Sequence, residues 1–168
     1  MNDAGPLEVR RRPRSALASW TAAVAAVLGV TLWFVTSPPA LATSDQVVEA
    51  SAAVGTDVYV AVYVAESDRT LRIGGVKVHV AASAPVEVEP LLCLGGSPRV
   101  TSDAASFCEQ LVEPDGHDLG PGDSVVLRVR GGYAATAEID RVRLAYRDGV
   151  RWATQPAGSP ARVTVLGR

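Results

Sequence analysis

From Asp57 onward, apolar side chains return at every second residue in one short stretch after another, and Gly, Pro, Asp and Ser separate the stretches. A period of two belongs to β-strands, whose successive side chains point to opposite faces; a helix would need a period near 3.6. In residues 57–65, Val58, Val60, Val62 and Val64 face one way and Tyr59, Ala61, Tyr63 and Ala65 the other. Both sets are largely apolar, which predicts a central strand covered on both sides. Val76, Val78 and Val80 alternate with Lys77 and His79, and Val86 and Val88 with Glu87 and Glu89. Val125, Leu127 and Val129 alternate with Arg128 and Arg130, and Val142, Leu144 and Tyr146 with Arg141, Arg143 and Arg147. Val163 and Val165 close the series, while residues 47–54 read as a weaker first strand or a short helix.

Turn chemistry falls between these stretches at Gly74 and Gly75, Gly95 and Gly96, Pro114 to Gly116, Gly120 to Gly122, Gly131 and Gly132, Asp148 and Gly149, and Gly158 to Pro160. Asp148 and Gly149, between two alternating runs, form the clearest short-hairpin signal. About seven short strands with turns every 8–12 residues predict an all-β, antiparallel sandwich. Trp152 is expected to pack into that core or to cap one end of it. Residues 101–112 have no clear period and are expected to hold a short helical turn.

Ahead of the β-pattern lies a run of about twenty residues, 16–35, without a charge or a proline. At 1.5 Å per residue such a helix spans roughly 30 Å, the hydrocarbon thickness of a bilayer. Trp20 and Trp33 lie near its two ends, where indole favours the headgroup boundary. Arg10, Arg11, Arg12 and Arg14 precede it, and no Lys or Arg follows until Arg69. That asymmetry orients the N-terminus to the cytoplasm and the rest outside. The expected organisation is a cytoplasmic tail over 1–14, a transmembrane helix over 15–37, a spacer over 38–45 and an exported domain over 46–168. A second reading competes. Ala40, Leu41 and Ala42 form a cleavage site of the A-x-A type after an apolar core, so the same segment also reads as a signal peptide removed after Ala42.

Residues 43–168 carry twelve basic and sixteen acidic side chains, a net charge of −4, which gives no electrostatic reason to seek nucleic acid. Cys93 and Cys108 are the only cysteines. An even pair in an oxidising compartment reads as a disulfide, and the spacing fits neither a C-x-x-C redox motif nor a zinc site.

The strand–turn–strand of residues 58–78, the Pro-Gly turn that launches the strand at 124–130 and the hairpin of 142–152 resemble exported or membrane-anchored actinobacterial proteins with an immunoglobulin-like β-sandwich domain. The resemblance covers residues 47–166 and implies a fold class; it transfers no active site.

No constellation of reactive groups stands out. His79 and His117 lack the Cys and Met that a copper site needs, and no G-x-S-x-G elbow accompanies His117 and Asp118. The acidic run Glu109, Glu113, Asp115, Asp118 and Asp123 lacks calcium-loop spacing. No catalytic residue, metal or cofactor is expected. Arg128, Arg130, Arg141, Arg143 and Arg147 concentrate positive charge in the last third of the chain. If the strands at 124–130 and 141–147 were neighbours, these side chains would form a ridge for an anionic wall polymer, lipid headgroups or an acidic partner protein. The expected function is a non-enzymatic accessory or interaction protein of the cell envelope, anchored in the lipid bilayer. The alternative is a cleaved, secreted binding protein for a small ligand, an ion or a wall polymer.

Overall fold

The computed structural model describes residues 23–33, 38–65 and 68–167. The chain divides into two units, Met1–Ser37 and Pro38–Arg168. In the first, residues 23–33 form an α-helix in which every residue is exposed, Val27 and Leu28 among them. Among the described residues no helix is long and apolar enough to cross a membrane. The remainder of the apolar run, the orienting arginines Arg10, Arg11, Arg12 and Arg14, and Trp20 lie outside the described residues.

The second unit is all-β. Its strands are β1 (Val48–Ala53), β2 (Asp57–Val64), β3 (Leu71–Lys77), β4 (Val80–Ala82), β5 (Val86–Leu94), β6 (Val100–Thr101), β7 (Gln110–Val112), β8 (Asp118–Leu119), β9 (Ser124–Gly131), β10 (Ala135–Ile139), β11 (Val142–Asp148), β12 (Arg151–Ala157) and β13 (Ala161–Leu166). They pair in three sheets ordered β1-β13-β10-β4, β12-β11-β3-β8 and β6-β2-β9-β5-β7. These pairings are antiparallel except that of β1 with β13.

The first two sheets are one layer bent across its middle. β3 runs into β4, β10 into β11 and β12 into β13, and Asp140 N donates to His79 O at 3.1 Å across the bend. This layer packs on the five-stranded sheet as a β-sandwich. Val58, Val60, Leu127 and Val129 from one side meet Ile73, Leu144, Tyr146 and Val163 from the other in a single core. The alternation read from the sequence holds for β9, β11 and β13, whose inward positions are buried. Residues 47–54 resolve in favour of a strand, and the short helical turn is a 3-10 helix over Ala104–Ser106.

β2 departs from simple alternation. Ala61 pairs with Val126 and Tyr63 with Val125, so Val62 is an extra residue, a β-bulge. The bulge exchanges the faces: Val58, Val60 and Val62 point into the core before it, Tyr63 and Ala65 after it. Gly74 and Gly75, read as a turn, instead lie within β3, where a second register shift occurs opposite Ala145 and Tyr146.

Residues 38–45 are no free spacer. Leu41 is 5% exposed in the main core, and its amide donates to Gln155 Oε1 at 3.0 Å. Gly158 N donates to Ala42 O at 2.8 Å, Ser44 N to Gly158 O at 3.0 Å, and Thr43 bridges Gly158 in parallel. Arg141 donates to Ser44 O and pairs with Asp45. One apolar side chain and a row of backbone bonds incorporate the segment into the bent layer.

Candidate functional site

Cys93 lies on β5, and Cys108 follows the 3-10 turn; they are bonded, with Cα atoms 5.2 Å apart. With Ala104 and Val126 they form a small second core, flanked by Tyr59, Ala61 and Leu111. The bridge therefore staples the loop after β5 over the five-stranded sheet. Gly96 belongs to the same fastening, because a Cβ there would lie 1.8 Å from Phe107 O.

The expected arginine ridge does not form. β9 lies between β2 and β5, whereas β11 lies between β12 and β3 in the other layer. Strand order follows from long-range packing, so the local pattern could not decide it. On β9, Arg128 stands opposite Glu89 and Tyr59 and forms an ion pair with Glu89. Arg130 stands opposite Glu87 and Asp57 and approaches Asp57 at 3.7 Å. Each has an acidic neighbour on an adjacent strand, which compensates its charge. Arg141 is occupied with Ser44 and Asp45.

The structure brings together a different set. Across β12, β11 and β3, Arg147 stands opposite Arg72 on one side and Trp152 on the other, while Arg143 stands opposite Lys77 and Pro156. Arg72 reaches Asp118 at 3.4 Å. Arg143 and Lys77 have no ion-pair partner among the described residues. Two of the five arginines, Arg143 and Arg147, thus share a basic face with two cations that sequence proximity does not group with them.

Trp152 neither enters the core nor caps it; it is 70% exposed, with the Arg147 guanidinium 5.6 Å from its ring centre. The hairpin signalled by Asp148 and Gly149 forms as expected. Asp148 pairs with Arg151 around a two-residue loop, with Gly149 at φ +61°. Val150 at its tip is 85% exposed.

One carboxylate of the acidic run serves the fold. Asp123 accepts from Gly95 N at 2.8 Å and from Gly120 N at 2.7 Å, tying the loop after β5 to the turn before β9. In the sequence it falls within an acidic run; an Asp closing a Gly-Pro-Gly turn is the signal that points to this role. Among the described residues no three His, Cys, Asp or Glu side chains gather closely enough to hold a metal ion. His117 sets its Nδ1 3.3 Å from Asp115 O, a contact within its own loop. A cleft of about 560 Å³ opens beside the β2 bulge, lined by Val62, Tyr63, Ser44, Arg99 and Ser159 among others. Several of its backbone groups are already engaged: Val62 O accepts from Ser159 N, and Arg99 O from Ala61 N. Among the described residues one titrating group is displaced. Burial raises the Tyr146 phenol above its ordinary value, the nearby Arg69 opposing and Asp148 and Tyr63 adding to the shift.

The chain matches no family model, no curated protein and no solved structure.

Proposed function

We propose that the chain is a non-enzymatic interaction module of the cell envelope, held by a single membrane pass and carrying an immunoglobulin-like β-sandwich outside. The observation that carries the reading is the burial of Leu41. Cleavage after Ala42 would remove Leu41 from the core, together with its bond to Gln155 and the acceptor that Ala42 offers to Gly158. The sandwich uses the chain on the N-terminal side of that junction as structure, and a domain beginning at Thr43 would lack it. This favours a retained apolar segment over a cleaved one. One feature sets the body apart from antibody domains: its disulfide fastens a loop to one sheet, where theirs joins the two layers. The secreted-binder reading has the cleft beside β2 in its favour.

The test is the N-terminus and intact mass of the mature protein in membrane and supernatant fractions. The anchored reading expects a membrane-bound chain that keeps residues 1–42. A soluble chain beginning at Thr43 would overturn it in favour of the secreted binder.

A further inference from the structure

The β11–β12 hairpin ends in two exposed apolar side chains, Val150 and Trp152, with basic residues on either side. Arg147 lies against the Trp152 ring, and Arg151 adjoins it in the chain. Around this tip, Arg69 is paired with Asp148 at 3.1 Å and Arg72 with Asp118 at 3.4 Å, and Asp68 is an exposed acid of the same loop as Arg69. Arg147 and Arg151 have no ion-pair partner among the described residues.

The same pole is where the second unit begins. Thr43 bridges Gly158 in parallel, so the chain before it runs alongside β12 from the hairpin end toward the bend. Pro39 O accordingly lies 3.5 Å from Tyr146 Oη, and Tyr146 pairs with Ala153, the residue after Trp152. In the sequence, Thr36 and Ser37 alone stand between the apolar run and Pro38.

We propose that this hairpin tip docks on the headgroup layer of the membrane, with Val150 and Trp152 entering the boundary and Arg147 and Arg151 meeting anionic phospholipid. The inference rests on the anchored reading above. An indole with a cation beside it suits the interface, where the ring is half in hydrocarbon and the guanidinium reaches phosphate. An aliphatic tip such as Val150 gains from a lipid boundary and nothing from a hydrated wall polymer, which decides between those two partners. Docking would fix the orientation of the sandwich on the bilayer and leave the Arg143 and Lys77 end of the basic face outward.

The test uses the full chain with Trp20→Phe and Trp33→Phe, so that Trp152 is the only indole. It is reconstituted into phosphatidylcholine–phosphatidylglycerol vesicles with and without bromine on the acyl chains. Docking predicts a blue-shifted Trp152 emission that the brominated lipid quenches. Val150→Asp, at an exposed turn position, should abolish both signals without unfolding the domain. Arg147→Ser with Arg151→Ser should remove the difference between phosphatidylglycerol-containing and pure phosphatidylcholine vesicles. Unquenched emission typical of water-exposed tryptophan overturns the proposal. A blue shift without quenching also overturns it and points to a protein contact. Flotation of the same vesicles after alkaline carbonate extraction reads the anchor separately. Loss of flotation with quenching retained in untreated vesicles sinks the anchor alone, and retained flotation without quenching sinks the docking alone.

Discussion

Gly158→Ala probes the joint on which the architecture depends. Gly158 sits in the bend between β12 and β13 at φ +69°, and a Cβ there would lie 1.8 Å from Val62 O and 2.9 Å from Tyr63 Cβ. The first contact is with backbone, so the strand or the bend must move. Placing alanine in the left-handed region costs about 1–2 kcal/mol. Displacing the bend also disturbs three backbone bonds: Ser159 N to Val62 O at 2.8 Å, Gly158 N to Ala42 O at 2.8 Å and Ser44 N to Gly158 O at 3.0 Å. Loss of two of these, at about 1 kcal/mol each, brings the total to about 3–4 kcal/mol. The lower unfolded-state entropy of alanine offsets about 0.4–1 kcal/mol, leaving about 3 kcal/mol net. Urea unfolding of the full chain in non-ionic detergent, followed by far-ultraviolet circular dichroism, measures the change. Gly149→Ala is the control, since Gly149 has a similar φ of +61° and open space around its Cβ direction. It should cost only about 1 kcal/mol. Equal effects of the two substitutions would refute the steric argument and the seating of Gly158 on the bulge.

Leu41→Ala should destabilise the domain by about 2–5 kcal/mol in the same unfolding assay, as for other core leucines; a change under about 0.5 kcal/mol would mean that the segment is not part of the core. Replacing Cys93 and Cys108 together with Ala releases a loop of sequence separation 15 and should cost roughly 3 kcal/mol, with no change in β content by circular dichroism. Asp123→Ala removes the acceptor of two backbone amides and should cost about 2 kcal/mol, whereas a shift near zero would assign those amides to water. Tyr146 titrates later in the folded state than in the unfolded one, so the stability tied to its neutral phenol is full below pH ~10 and is lost as pH rises from there through the folded-state value. Tyr146→Phe should flatten this alkaline decline in pH-dependent unfolding midpoints; an unchanged slope would assign the decline to another group.

Much of this arrangement was legible because it is local. Tyr146 faces inward by alternation, and a two-residue loop between Asp148 and Arg151 pairs Tyr146 with Ala153. Ala153 must then face inward and Trp152 outward, beside Arg147. The hairpin signal and the strand pattern together contain the exposure of Trp152; the expectation of a buried indole weighs size above parity, and parity wins. Leu41 is less accessible to reading. A lone leucine among Pro, Ala, Thr and Ser carries no period, and only the Gln155 amide and the core behind it reveal that the stretch is structural.

The main strands, the inward faces of β9, β11 and β13, the hairpin at Gly149 and the pairing of the only two cysteines can all be derived from the residues in order along the chain. Each follows from the pleat, from turn chemistry or from a choice of one partner. Closure of the whole domain settled what remained. It placed β9 and β11 in different layers, giving Arg128 and Arg130 acidic neighbours and Arg143 and Arg147 basic ones. It inserted a bulge at Val62 where Gly158 approaches, which turned Tyr63 inward. Alternation tells a side chain which face it occupies. Which strand lies beside it depends on how the apolar faces of the domain meet one another, and no local stretch contains that information.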